Sequence, residues 1–197
     1  MNHEKIKTVA LSLFAQHGYE GTTLADIAKG VGIKKPSIYN HFASKDDLFL
    51  TLLDEAFQTE MKSFQSFAET EIAQMESVEE QLFAILEFYS GRYQSDEMQF
   101  FKRVVFFSPE EMKQAIHTKF MEMEGVQSSF LKPVFEAGIA AGTIKPRDTD
   151  DLLGAYYCLL DGLFTQSHYY DRETYQKRLQ VAWGFFWEGI RETKKGE

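Results

Sequence analysis

Lys34, Lys35, Ser37, Tyr39, Asn40 and His41 fall in one short stretch that ends at Lys45. They supply ammonium groups, a hydroxyl, a phenol, an amide and an imidazole, the side chains that meet phosphate oxygens and base edges on DNA. Lys34 and Lys35 stand where a helix would open, so positive charge and free backbone N–H groups coincide there. Asn40 either pairs bidentately with adenine or, turned outward, meets phosphate. Thr23 and Lys45 begin the helices on either side, a position that suits phosphate clamping. Structural readings compete with these: Tyr39 as part of a core, His41 as a helix-end cap. Phe42 reads as core.

The elements that must hold these groups are legible around them. Leu24, Ile27, Ala28 and Val31 recur at helical spacing and mark one buried face. Thr23 with Asp26 forms a capping-box-like start, and Gly32 can take the positive φ that ends the helix and turns the chain. Pro36 suits a first helical turn, so a second helix is predicted to begin at Lys35 or Pro36. A preceding helix carries Ile6, Val9, Ala10, Leu13 and Phe14. Ser44 to Asp47 cap a following one with Leu48, Phe49, Leu52 and Leu53. Two short helices around a tight turn, the second displayed outward, are a helix–turn–helix built for the major groove.

Ala10-x-x-Leu13-Phe14, Gly18-Tyr19, Thr22-Thr23, Ile27-Ala28, Gly32, Ser37-Ile38-Tyr39-x-His41-Phe42 and Lys45-x-x-Leu48 stand at fixed spacing. On these matches the span from about Ile6 to Leu53 resembles the DNA-binding domain of the TetR family of bacterial transcriptional regulators. The resemblance implies that Lys35, Pro36, Ser37 and Tyr39 face the groove, with Tyr39 and His41 also reaching the backbone. It implies an all-α chain: a three-helix DNA-binding domain over 1–46, then a larger helical effector-binding and dimerisation domain over 47–197. Two positions depart from the family pattern. Lys34 stands where many members carry a capping serine, and Pro36 where glycine or another small residue is common.

The net charge of −9 divides unevenly. Residues 1–46 carry six Lys/Arg against four acidic residues, a net +2, and residues 47–197 carry 15 against 26, a net −11. One weakly basic end is offered to phosphate while an acidic body is repelled from it, which excludes a nonspecific DNA coater but not a site-specific dimer. The single cysteine, Cys158, excludes internal disulfides and a multi-cysteine metal cluster. It lies in an apolar run and reads as a small core residue in a reducing cytoplasm. The N-terminal residues show no cleavage-site pattern, and no apolar run reaches the roughly 20 residues that span a bilayer.

Downstream, Ser77-x-x-Glu80 and Ser108-Pro109-Glu110-Glu111 read as helix starts, the latter opening a long helix that Gly142 and Pro146 close. Asp148 to Asp151 start the next. The last two helices, about 149–169 and 172–192, carry apolar stripes: Tyr156, Leu159 and Leu163 on one, Leu179, Trp183, Phe186 and Ile190 on the other. These are predicted to complete a four-helix bundle with a second chain, placing two reading heads one DNA turn apart. Ordinary intrachain core is the alternative. A family member would also hold a pocket between residues 60 and 168. Tyr89, Tyr93, Phe100, Arg103, Phe107, Phe120, Met123 and Tyr156 are the candidate lining, predicting an apolar or aromatic effector rather than a sugar or nucleotide.

Other classes find little support. None of the five histidines has glutamate three residues before it, as paired-iron bundles require. Gly-x-Ser-x-Gly is absent, and Gly30-Val31-Gly32 follows a helix and lacks the third glycine of a dinucleotide fingerprint. No catalytic set, metal or cofactor is nominated, and a small helical enzyme is the weaker rival. The stronger one is a non-catalytic interaction module that keeps the fold without operator binding. The expected mechanism is an unliganded homodimer on palindromic double-stranded DNA, released when an effector changes the spacing of its reading heads.

Overall fold

A computed structural model of the chain describes residues 2–92 and 96–193. Helices α1 (Asn2–His17) and α2 (Leu24–Val31) precede a short 3₁₀ helix (Lys35–Asn40). Then follow α3 (Lys45–Thr70), α4 (Val78–Arg92), α5 (Asp96–Phe106), α6 (Lys113–Ala140), α7 (Thr149–Tyr169) and α8 (Arg172–Ile190). Among the described residues the only extended pairing outside the helices is an isolated antiparallel bridge, Ile144 to Arg191. The chain is all-α.

Local chemistry sets most of the helix ends. Thr23 caps α2 in a reciprocal capping box with Asp26. Gly32 then takes φ +80°, a left-handed conformation that glycine adopts without strain, and its N–H closes on Ala28 O. Asp148 and Asp171 cap α7 and α8 through their carboxylates. Ser77 Oγ accepts from the Glu80 N–H at the start of α4.

Two expected helix starts differ. Ser108 does not cap the long helix; its hydroxyl donates back to Val104 O at 2.6 Å, and a 3₁₀ turn over Glu110–Met112 leads into α6 instead. Serine hydroxyls bond readily to a carbonyl four residues back, and here that bond wins over capping. The second short helix is a 3₁₀ helix throughout. Lys34, its N-cap, contributes no side-chain bond, and Ser37 N–H closes on Lys34 O at 2.8 Å.

The chain folds as two compact units, Met1–Ser63 with Gln94–Met123, and Phe64–Tyr93 with Glu124–Glu197. In the first, Ile6, Phe14, Ile27, Ile38, Leu48 and Phe57 are fully or almost fully buried. Phe100 of α5 completes an aromatic cluster with Phe14 and Phe49, whose rings lie 5.2 Å apart with Phe49 and Phe100 at 5.4 Å. In the second, Leu82, Leu131, Phe135, Tyr156 and Leu179 form the core. The Tyr156 hydroxyl donates to Leu82 O at 2.6 Å.

Candidate nucleic-acid interface

The 3₁₀ geometry decides which side chains of Lys35–Asn40 point outward. With three residues per turn, positions three apart eclipse one another. Ile38 is fully buried and pins the segment to the head. The remaining rows, Pro36 with Tyr39 and Ser37 with Asn40, therefore face away from the core. Lys34, Lys35, Pro36, Asn40 and His41 are exposed, Ser37 is half-buried and Tyr39 is 52% exposed. Tyr39 is thus no core residue. His41 does not cap through its imidazole; its backbone N–H closes on Ile38 O. Phe42 is buried as expected.

Behind this row stands a frame of polar ties. Thr23 Oγ1 accepts from the Asp26 N–H at 3.2 Å while Asp26 Oδ2 accepts from the Thr23 N–H at 3.0 Å. The Thr23 hydroxyl and backbone together hold the Asp26 carboxyl below its ordinary value. Lys45 is committed more deeply than its sequence position suggests. Its ammonium donates to Tyr19 O at 2.9 Å and Thr22 O at 3.3 Å and lies 3.8 Å above the Tyr19 ring. The Tyr19 hydroxyl in turn donates to Asp46. Burial first, and then Asp46, push that phenol above its usual value. Lys45 thus ties α3 to the loop before α2, with one of its three N–H groups left over for a phosphate.

The candidate effector residues fall in both units. Phe100, Arg103, Phe107, Phe120 and Met123 belong to the first unit, Tyr89 and Tyr156 to the second, and Tyr93 lies outside the described residues. Phe100 is core of the head. Arg103 donates to Gln16 O at 2.9 Å, at the end of α1, with its guanidinium 5.4 Å from the centre of the Phe107 ring. Gly18, at φ +76°, leaves the space beside that guanidinium open, since a Cβ there would stand 3.5 Å from Arg103 Nε. Phe107 is 69% exposed. Phe100 and Arg103 thus clasp α5 to α1. Phe120 is half-buried and Met123 buried. The aromatic grouping of the second unit is a different one. Phe64 and Phe88 pack against Tyr89, Phe130 packs edge-on against Phe64, and the Tyr89 hydroxyl accepts from the buried Gln127 amide.

The α7–α8 stripes divide between core and surface. Tyr156 is fully buried within its own chain, and Leu163, Leu179, Trp183 and Ile190 are buried as well. Leu159 and Phe186 are half-buried. Tyr156, Leu179, Trp183 and Ile190 thus pack into the core of their own chain, while Leu159 and Leu163 also line a groove between α7 and α8. Cys158 is exposed rather than core. It lines an open groove of about 580 Å³ with Gly162, Gln166, Lys177, Arg178 and Val181. Phe185, one turn along α8 from Val181, is 74% exposed.

Residues 6–52 match the sequence profile of the bacterial regulatory proteins of the tetR family. Over 184 residues, 89% of this chain and 91% of the other, it is 30% identical to YhgD, an HTH-type transcriptional regulator of Bacillus subtilis (strain 168). The chain belongs to the TetR family. As a TetR-family protein it is a transcriptional regulator, and over a short stretch it is similar to a negative regulator. The two are 54% identical over 46 residues, 23% of this chain and 25% of IcaR, the biofilm operon icaADBC regulator of Staphylococcus aureus (strain Newman). The TetR fold extends over the whole chain. The FadR transcriptional regulator of Bacillus subtilis, solved in complex with stearoyl-CoA, superposes with TM-score 0.71 at 20% identity, over 95% of this chain and 98% of that one. Among the described residues no helix is long and apolar enough to cross a membrane.

Proposed function

We propose that this TetR-family protein is a ligand-responsive repressor that binds a two-fold symmetric operator as a homodimer. The observation that carries the reading is the row of exposed donors, Lys34, Lys35, Tyr39, Asn40 and His41, with half-buried Ser37 among them, on a segment anchored by fully buried Ile38. The similarity over 46 residues to a negative regulator supports repression. Residues 1–46 touch DNA in this reading, and 47–197 hold the effector and the partner subunit. The partner covers the groove of Cys158, Gly162, Val181 and Ala182 together with Phe185, a surface of small and apolar groups that permits close helix packing. The effector is small and apolar or aromatic, received among Phe64, Phe88, Tyr89, Gln127 and Phe130. The stearoyl-CoA complex of the FadR neighbour supports a small-molecule site in this fold. The protein works in the cytoplasm, where its DNA is.

Recovery of a duplex from a randomised pool by the wild-type protein tests operator binding. Tyr39→Ala should weaken binding to that duplex by about tenfold to a hundredfold, the scale of one lost base contact, and leave the subunit mass in sedimentation unchanged. Undiminished binding would remove Tyr39 from the interface. Failure to recover any preferred duplex would favour the interaction module instead. Linkage further requires operator DNA to weaken effector binding by the factor by which effector weakens operator binding.

A further inference from the structure

Charge alone nominates every lysine of the head for DNA, but their existing partners sort them. Lys5 Nζ donates to Val31 O at 2.8 Å. Lys7 Nζ is paired with Glu55 at 2.7 Å and Glu4 at 3.0 Å. Lys45 is held by Tyr19 and Thr22. His3 and His41 are the opposite case. Among the described residues neither imidazole has a hydrogen-bond partner, although the two ring centres are only 5.8 Å apart.

The way His3 is held makes it available rather than idle. Its ring stacks on Phe42 at 4.7 Å with an interplanar angle of 18°. Phe42 is buried, and its backbone N–H closes on Ile38 O at 3.0 Å. The stack therefore fixes His3 to the same turn that presents exposed His41. Stacking uses a ring face and leaves the nitrogen edge unspent, and a neutral imidazole still carries one N–H donor.

We propose that His3 is a further DNA-backbone contact, docked on Phe42 so that it sets a second imidazole donor beside His41. A DNA strand presents a phosphate about every 3.4 Å of helix axis, so two donors at this separation serve oxygens of the same or neighbouring phosphates. Fixing the ring before DNA arrives lowers the entropy lost on contact. The inference rests on the DNA-binding reading above, but it concerns a helix outside the helix–turn–helix and a residue with no motif of its own.

The test uses the full-length protein and a fluorescent duplex recovered from a randomised pool by the wild type, in low salt. His3→Phe keeps a stacking ring and removes both nitrogens. It should weaken binding about tenfold to a hundredfold, the loss of one hydrogen bond to a charged acceptor, with an unchanged thermal midpoint. Binding within twofold of wild type overturns the proposal. If the phenylalanine lowers the midpoint, His3→Tyr decides, because it differs from His3→Phe only by a donor hydroxyl. Tighter binding by His3→Tyr at matched stability supports the contact, and equal binding shows that the ring acts by packing alone. Failure of the wild type to recover any duplex would instead count against the DNA-binding reading itself.

Discussion

The head and the α7–α8 pair expose opposite kinds of surface. In the head, long polar side chains reach across elements: Lys5 to the end of α2, Lys7 to α3, Lys45 to the loop before α2, Arg103 to the end of α1. They consume cations in the frame and leave one face of exposed donors. On α7–α8 the polar groups pair with near neighbours. Arg178 donates to Gln166 at 2.6 Å and its guanidinium covers the Tyr170 ring at 3.8 Å, while Gly162, Val181 and Phe185 remain open. A face of unspent donors suits a hydrated polyanion; a face of small and apolar groups suits another helix pair. The difference teaches that a side chain's partner, more than its type, decides which surface it serves.

The sharpest way to break this comparison is to exchange core for surface on α7–α8. Leu179→Ala removes a fully buried side chain and should lower chain stability by about 3 kcal/mol in denaturant titration. If instead only subunit dissociation changed, Leu179 would return to the interface and the two stripes would trade places. Phe185→Ser should do the reverse. Unfolding of the separated chain stays as in wild type, while self-association weakens about thirtyfold in sedimentation, as for a buried aromatic anchor. No change in association would leave the groove without its proposed occupant.

A smaller effect sharpens the account of the head. Thr23→Ala should cost about 1 kcal/mol of stability through the lost cap, read by thermal unfolding. The same variant carries a pH signature. Asp26 is held below its ordinary value in the folded protein, so its contribution is fully present above the unfolded carboxylate value of about 4 and disappears as pH falls through the folded one. The gap between wild type and Thr23→Ala should therefore narrow on acidification below about pH 4. A gap that widened there would mean that Asp26 takes no part in the cap.

What could be read from sequence follows the reach of each interaction. Thr23 with Asp26, Gly32 and Asp148 act within four residues of themselves, so their types and spacing announce them. The 3₁₀ form of Lys35–Asn40 was not legible, because Pro36 suits the first turn of either helix type. Nor was the α7 face. Tyr156, Leu159 and Leu163 recur at helical spacing, yet Tyr156 is fully buried while Leu159 lines the groove beside Cys158 and Gly162, and periodicity alone cannot say which meets its own chain. The framing bonds of Lys45 and Arg103 were hidden for a related reason. A long cation nominates itself for phosphate or ligand, whereas its bonds here go to backbone carbonyls 26 and 87 residues away. His3 carried no sequence signal at all, since its meaning comes from Phe42 on another element.

The clasp of α5 on α1 bears on how such proteins can be recombined. A crossover after residue 46 would carry the DNA-reading motif but leave behind Phe100, which completes the ring cluster of Phe14 and Phe49, and Arg103, which seals the end of α1. A transplanted head would then need a matching α5 from its new host. Exchange of DNA specificity between relatives is therefore constrained to pairs whose α5 surfaces are interchangeable, whatever the similarity of their recognition segments.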